Sequence, residues 1–144
     1  MPDIIQEFTV KAPPAHVMEM FTTPAGLDRW WTKRSAGVAK ENTEYTLHFG
    51  PEYDWRAKVT RFVPDQEFEL QMTQAHEDWQ GTRVGCTLTP DGHGATRVLF
   101  YHKGWPDANE HWRVSCYCWP MYLRLLRRNL EYGEVVPYEK RLEV

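Results

Sequence analysis

Apolar and polar residues alternate along most of the chain. Asp3 to Lys11 puts Ile4, Phe8 and Val10 on one face, with Gln6 out of pattern, and predicts a first strand. Pro13-Pro14 ends it, and Pro14 suits the first position of a helix, where its missing N–H is no loss. Val17, Met20 and Phe21 then follow helical spacing to about Thr22, and Thr23-Pro24 opens a second short helix carrying Leu27, Trp30 and Trp31. Alternation resumes at Tyr45, Leu47 and Phe49, where Gly50-Pro51 stops it. It continues at Trp55, Ala57 and Val59, at Phe68, Leu70 and Met72, at Val84, Cys86 and Leu88, and at Thr96, Val98, Phe100 and His102. The turns between these runs are short, so an antiparallel meander is expected.

The last periodic segment is different. From Asp107 to about Tyr132, Trp112, Cys116, Trp119, Leu123, Leu126 and Leu130 form one helical stripe, with Pro120 predicting a kink near 116–120 and Gly133 a C-cap. Some 25 residues at 1.5 Å each give a rod of roughly 38 Å, long enough to cover a sheet. The expected fold class is α+β: a curved antiparallel sheet of about six to seven strands around a long C-terminal helix, with two short helices after the first strand. Residues 1–144 read as one domain, its core at about 3–133, and 134–144 as a charged, extended tail. A sheet bent around a helix leaves a gap between the two, and that gap is the candidate site.

Composition narrows the function. Seven Trp and 14% aromatic residues are a high content, and rings of that size either fill a core or line a cavity. A net charge of −3 without a basic stripe excludes the footprint of a nucleic-acid binder, and Arg124, Arg127 and Arg128 read as a solvated helix face. No apolar run approaches the ~20 residues of a membrane span. Met1 to Lys11 alternates like a strand and not like a signal peptide, so a cytoplasmic protein with reduced Cys86, Cys116 and Cys118 is expected.

Several motifs, in this order and spacing, resemble a known family: V-K-A-P-P-A-H-V near the start, L-D-R-W-W, H-F-G, W-x-G-T at Trp79 to Thr82, G-A-T-R-V at Gly94 to Val98 and H-K-G-W at His102 to Trp105. Together they are similar to the START-like superfamily of helix-grip proteins, and more narrowly to the group related to the C-terminal domain of the activator of heat-shock protein 90 ATPase. The resemblance spans residues 3 to about 133. It implies a helix-grip fold with an internal hydrophobic cavity. The superfamily includes lipid and hormone binders, polyketide cyclases and resistance proteins for aromatic natural products. The chaperone activator carries a separate N-terminal domain, for which this chain has no room.

The candidate ligand-binding residues are Trp30, Trp31, Trp55, Ala57, Phe68, Phe100, His102, Trp112, Cys116 and Trp119. Trp55, Phe68, Phe100 and Trp119 are expected to converge on one internal volume, with small Ala57 and Cys116 leaving room and His102 near its polar end. Core packing is the competing reading for each ring, and a histidine bonded near the Gly104 turn is the competing reading for His102. No catalytic residue, metal or cofactor is assigned. His16, His48, His76, His93 and His111 lie on separate elements, H-E-x-x-H and G-x-S-x-G are absent, and Cys116-x-Cys118 puts its thiols on different helix faces. The leading function is a carrier, sensor or sequestering protein for a small apolar or aromatic molecule. The alternatives are a cyclase- or hydratase-type enzyme using His102 with Tyr101 or Glu110, and an adaptor of the chaperone-activator type with a chaperone partner. A weak homodimer through the sheet edge or the tail is the most self-association expected.

Overall fold

In a computed structural model that describes residues 2–50 and 54–144, seven strands form one antiparallel sheet. They are β1 (Ile4–Val10), β2 (Arg34–Ala36), β3 (Glu44–His48), β4 (Asp54–Val63), β5 (Glu67–Gln74), β6 (Arg83–Pro90) and β7 (Thr96–Lys103). Helices α1 (Pro14–Thr22) and α2 (Pro24–Trp30) follow β1, and α3 (Glu110–Tyr132) follows β7. The strand order is β1-β7-β6-β5-β4-β3-β2: the first strand pairs with the last, α1 and α2 join β1 to β2 on the opposite edge, and every later connection runs between neighbours. Among the described residues no helix is long and apolar enough to cross a membrane.

The inward face follows the alternation. Val84 pairs with His102, Cys86 with Phe100 and Leu88 with Val98 across β6 and β7, and all six are buried. Register puts Tyr45, Ala57 and Met72 side by side across β3, β4 and β5. A register shift between Val59 and Arg61 then breaks the alternation of β4 and brings Phe62 opposite Phe68, where their rings meet edge to face at 6.1 Å. On the outer face Tyr101 lies across β6. A Cβ on Gly85 would fall 2.5 Å from its hydroxyl and 2.7 Å from the Phe68 carbonyl oxygen, so this position needs a residue without a side chain.

Helix boundaries follow local chemistry. Thr23 caps α2 by accepting from the Gly26 N–H, and Asn109 caps α3 by accepting from the Trp112 N–H. α3 therefore starts three residues later than periodicity alone predicts and runs through Pro120 to Gly133, which takes the left-handed conformation at φ 67°. β2 was not anticipated: at three residues, with a half-buried centre, it carries too little alternation to be read. The stop expected at Pro51 lies outside the described residues. The tail departs from the extended form expected. It folds back as a 3-10 helix (Tyr138–Glu143), and its buried Arg141 guanidinium donates to the Thr32 and Asp28 carbonyls at the end of α2. The Tyr138 hydroxyl donates to the Phe49 carbonyl at 2.8 Å.

Candidate functional site

Where α3 crosses the open end of the sheet, aromatic rings are continuous. Trp119 projects from α3 toward the sheet and meets Phe100 at 4.6 Å, Trp31 at 5.5 Å and Trp79 at 5.9 Å, the last stacked. Trp79 comes from the connection between β5 and β6. That loop is held by the Trp79 N–H donating to the His76 carbonyl and the Gly81 N–H donating to the Met72 carbonyl, and it lays Trp79 over the sheet end against Trp55 at 5.0 Å. A small cavity of about 40 Å³ sits among these rings, lined by Trp31, Trp79, Ser115, Cys118, Trp119 and Tyr122. On the other side of the Trp55–Trp79 contact an open groove of about 580 Å³ runs between the β5–β6 loop and the start of α3. Trp55, His76, Asp78, Asn109, Glu110, His111 and Val114 line it.

His102 is the polar pin of this region. Its Nδ1 accepts from the Trp119 indole N–H at 3.2 Å, and its Nε2 lies 2.8 Å from the Thr82 hydroxyl. The Thr82 hydroxyl donates its own proton to the Trp79 carbonyl at 2.6 Å, so it must accept from His102. The network fixes the ring as the neutral Nε2–H tautomer. Burial, followed by the charge of His111, pushes its pKa from 6.5 down to about 3. His102 thus faces inward as the sequence predicts, but both nitrogens are engaged in joining β7, the β5–β6 loop and α3. Tyr101 points to the opposite face of β7, where its hydroxyl donates to Glu69 at 2.6 Å and Lys103 sits over its ring. Glu110 is exposed at the groove. The three groups named for acid–base chemistry therefore do not converge.

The expected single volume bounded by Ala57 and Cys116 is not where the space lies. Ala57 has no exposed surface and is small because Tyr45 and Met72 press on it from both sides, and Phe68 packs edge to face on Tyr45 at 5.8 Å. Trp30 is held in the core by its indole N–H donating to the Met20 carbonyl at 2.8 Å. Cys116 and Trp112 are only half-buried, while Ser115 is buried, and Ser115 and Cys118 are the small residues of α3 at the cavity. Of the residues expected to bind, Trp31 and Trp119 line the cavity and Trp55 lines the groove. Trp30, Ala57, Phe68, Phe100 and His102 are packed core behind them.

Trp79 belongs to the site and Trp105 packs behind it, and both escaped the periodic reading because they stand in loops. Both are buried, and the Nε1–H of each has no hydrogen-bond partner among the described residues. The histidines also differ from expectation. His76 and His111 are not dispersed: with Asp78 they bring two imidazoles and a carboxylate together, one ligand atom from each lying within 4.8 Å of the others.

The model of the family "Activator of Hsp90 ATPase homolog 1-like protein" matches residues 11–131. Among solved structures, the Aha1 dimer from Colwellia psychrerythraea superposes with a TM-score of 0.83 at 25% identity, covering 93% of this chain and 99% of that one. MLL2253 from Mesorhizobium loti gives 0.78 at 18% identity, covering 93% and 100%. CalU16 from Micromonospora echinospora gives 0.74 at 18%, covering 98% and 81%. No curated protein matches significantly. A helix-grip sheet, its long C-terminal helix and a family match across most of the sequence converge: the chain belongs to the Activator of Hsp90 ATPase homolog 1-like family, within the START-like superfamily.

Proposed function

We propose that the protein binds a small apolar or aromatic molecule where α3 crosses the β5–β6 loop, against Trp31, Trp55, Trp79 and Trp119. The observation that carries this reading is Trp79. Its indole donor is buried and unpaired beside a cavity walled by three other rings, and Trp55 connects that wall to an open groove. An unpaired buried donor costs about 1–3 kcal/mol, which a ligand with an acceptor atom recovers on binding. The groove's volume lies in the range that drug-sized molecules occupy, whereas the inner cavity alone holds little more than one water. The ligand therefore rests in the groove with its apolar end against the Trp55–Trp79 pair. Three free thiols fit the reducing, cytoplasmic setting read from the sequence.

Fluorescence titration with N-phenyl-1-naphthylamine, an uncharged apolar probe, tests the reading. Trp55→Ala removes the groove floor and Ser115→Leu fills the inner cavity, and both should weaken probe binding at least about tenfold with circular dichroism unchanged. Cys116→Leu should leave it intact. Equal affinity in all four proteins would end the binding reading.

A second reading has one specific support. The family description names activation of the Hsp90 ATPase, and α3 exposes Val114 and Tyr117 beside the groove. An apolar pair there suits a protein contact. Addition of the protein to a bacterial Hsp90 would raise its ATP turnover under this reading, and Tyr117→Glu would remove the effect.

A further inference from the structure

We infer that His76, Asp78 and His111 form a binding site for a divalent transition-metal cation of the zinc class. The inference stands apart from the organic ligand proposed above, since it rests on other side chains. The His111 Nδ1 lies 3.1 Å and the His76 Nδ1 3.6 Å from the same Asp78 oxygen, Oδ2. A tetrahedral cation with ligand bonds of 2.0–2.1 Å holds its ligands roughly 3.3 Å apart. Two of the three separations thus already suit such an ion, and ring rotation at His76, the most exposed of the three, closes the third.

The surroundings orient these ligands. The Asn109 side chain donates to the other Asp78 oxygen at 3.2 Å, leaving Oδ2 to the imidazoles. His111 stacks on Trp79 at 6.2 Å and meets Trp105 edge to face at 5.3 Å, which fixes its ring plane. Supporting contacts of this kind set ligand orientation in metal sites. Among the described residues no Lys or Arg lines the groove, and Glu110 adds a second carboxylate. These two acidic groups oppose the positive end of α3, where His111 lies. Two imidazoles and one carboxylate favour zinc, nickel, copper or iron over magnesium or calcium. Three protein ligands leave a fourth position facing the groove.

On binding, the cation takes the Nδ1 lone pairs of two neutral imidazoles: the His111 ring carries its one proton on Nε2, and the Asp78 backbone N–H gives up its bond to His76 Nδ1. The ion ties the β5–β6 loop to α3. Calorimetric titration of chelator-treated protein with Zn²⁺ should give one site per chain, and Zn²⁺ should raise the melting temperature. His76→Ala, His111→Ala and Asp78→Asn should each weaken binding by at least about tenfold, while His93→Ala on the β6–β7 hairpin should not. His76 is half-exposed, so His76→Ala keeps the fold and isolates the metal effect. Co²⁺ bound here gives visible bands with no thiolate charge-transfer absorption. Equal Zn²⁺ affinity in His76→Ala and wild type, a thiolate signature from Cys116 or Cys118, or no uptake of either ion would overturn the site.

Discussion

At His102 the sequence showed where the side chain points but not what it does. Strand parity with Val98 and Phe100 fixes its inward direction, and any reader of the alternation can see that. Its partners, Thr82 and Trp119, are 20 and 17 residues away and are set by tertiary folding alone. The consequence is measurable. Because the folded ring resists protonation down to about pH 3, the unfolded chain binds more protons between pH 6.5 and 3. Stability therefore rises with pH across that window and is complete above it. Each unit of separation is worth about 1.4 kcal/mol, so urea melts at pH 4.5 should show a loss of a few kcal/mol relative to pH 7. His102→Gln should flatten that slope while lowering stability at pH 7. A wild-type slope equal to that of the variant would mean that the ring titrates freely. Gly85 makes a second case: Gly85→Ala should cost about 1–3 kcal/mol in chemical denaturation, because one of the atoms its Cβ meets, the Phe68 carbonyl oxygen, is backbone and cannot swing aside.

Among the elements, α3 was read nearly complete because a stripe of large apolar residues at helical spacing has few alternative explanations. Its cap was missed because Asn109 acts through a single side-chain bond, not through a pattern. Its stripe was read in phase: Trp119, Leu123 and Leu126 are buried, and Trp112, Cys116 and Leu130 pack on the core half-buried; the burial of polar Ser115 beside Cys116 was not foreseen, because residue type misled. Leu123→Ala should cost about 2–5 kcal/mol, with a value below half a kilocalorie contradicting the packing described. The tail carried no periodicity, so its return to the body could not be foreseen. Arg141→Met should destabilise by about 1–3 kcal/mol in the same assay, since it leaves the Thr32 and Asp28 carbonyls without their donor. Burial lowers the pKa of this guanidinium, so its placement is held by geometry that the short helix at 138–143 must supply.

Taken as a whole molecule, the helix-grip arrangement was legible because most runs of alternation ended at a Gly, Pro or Asp turn. The site was legible only in part. Trp79 and Trp105 stood inside the W-x-G-T and H-K-G-W motifs that carried the family resemblance, yet periodicity could not rank residues in loops. Self-association belongs to this scale as well. The tail is used within its own chain, so a homodimer would form through the outer edge of β1 or the short β2. Sedimentation at rising concentration should show at most a weak dimer, one that Ile5→Lys on the exposed side of β1 diminishes.

The seven tryptophans make the binding proposal directly observable, because each indole N–H gives its own cross-peak in a ¹H–¹⁵N correlation spectrum. The most direct measurement is a titration of uniformly labelled protein with 2-acetylnaphthalene, an uncharged apolar ring bearing an acceptor group. The Trp79, Trp55, Trp31 and Trp119 indole peaks should shift together and saturate with one dissociation constant, Trp79 moving most and downfield as its donor gains a partner. Trp30, whose indole N–H already donates to Met20, should stay fixed. Saturating shifts at Trp30 with Trp79 unmoved, or no indole shift at the solubility limit of 2-acetylnaphthalene, would contradict the account.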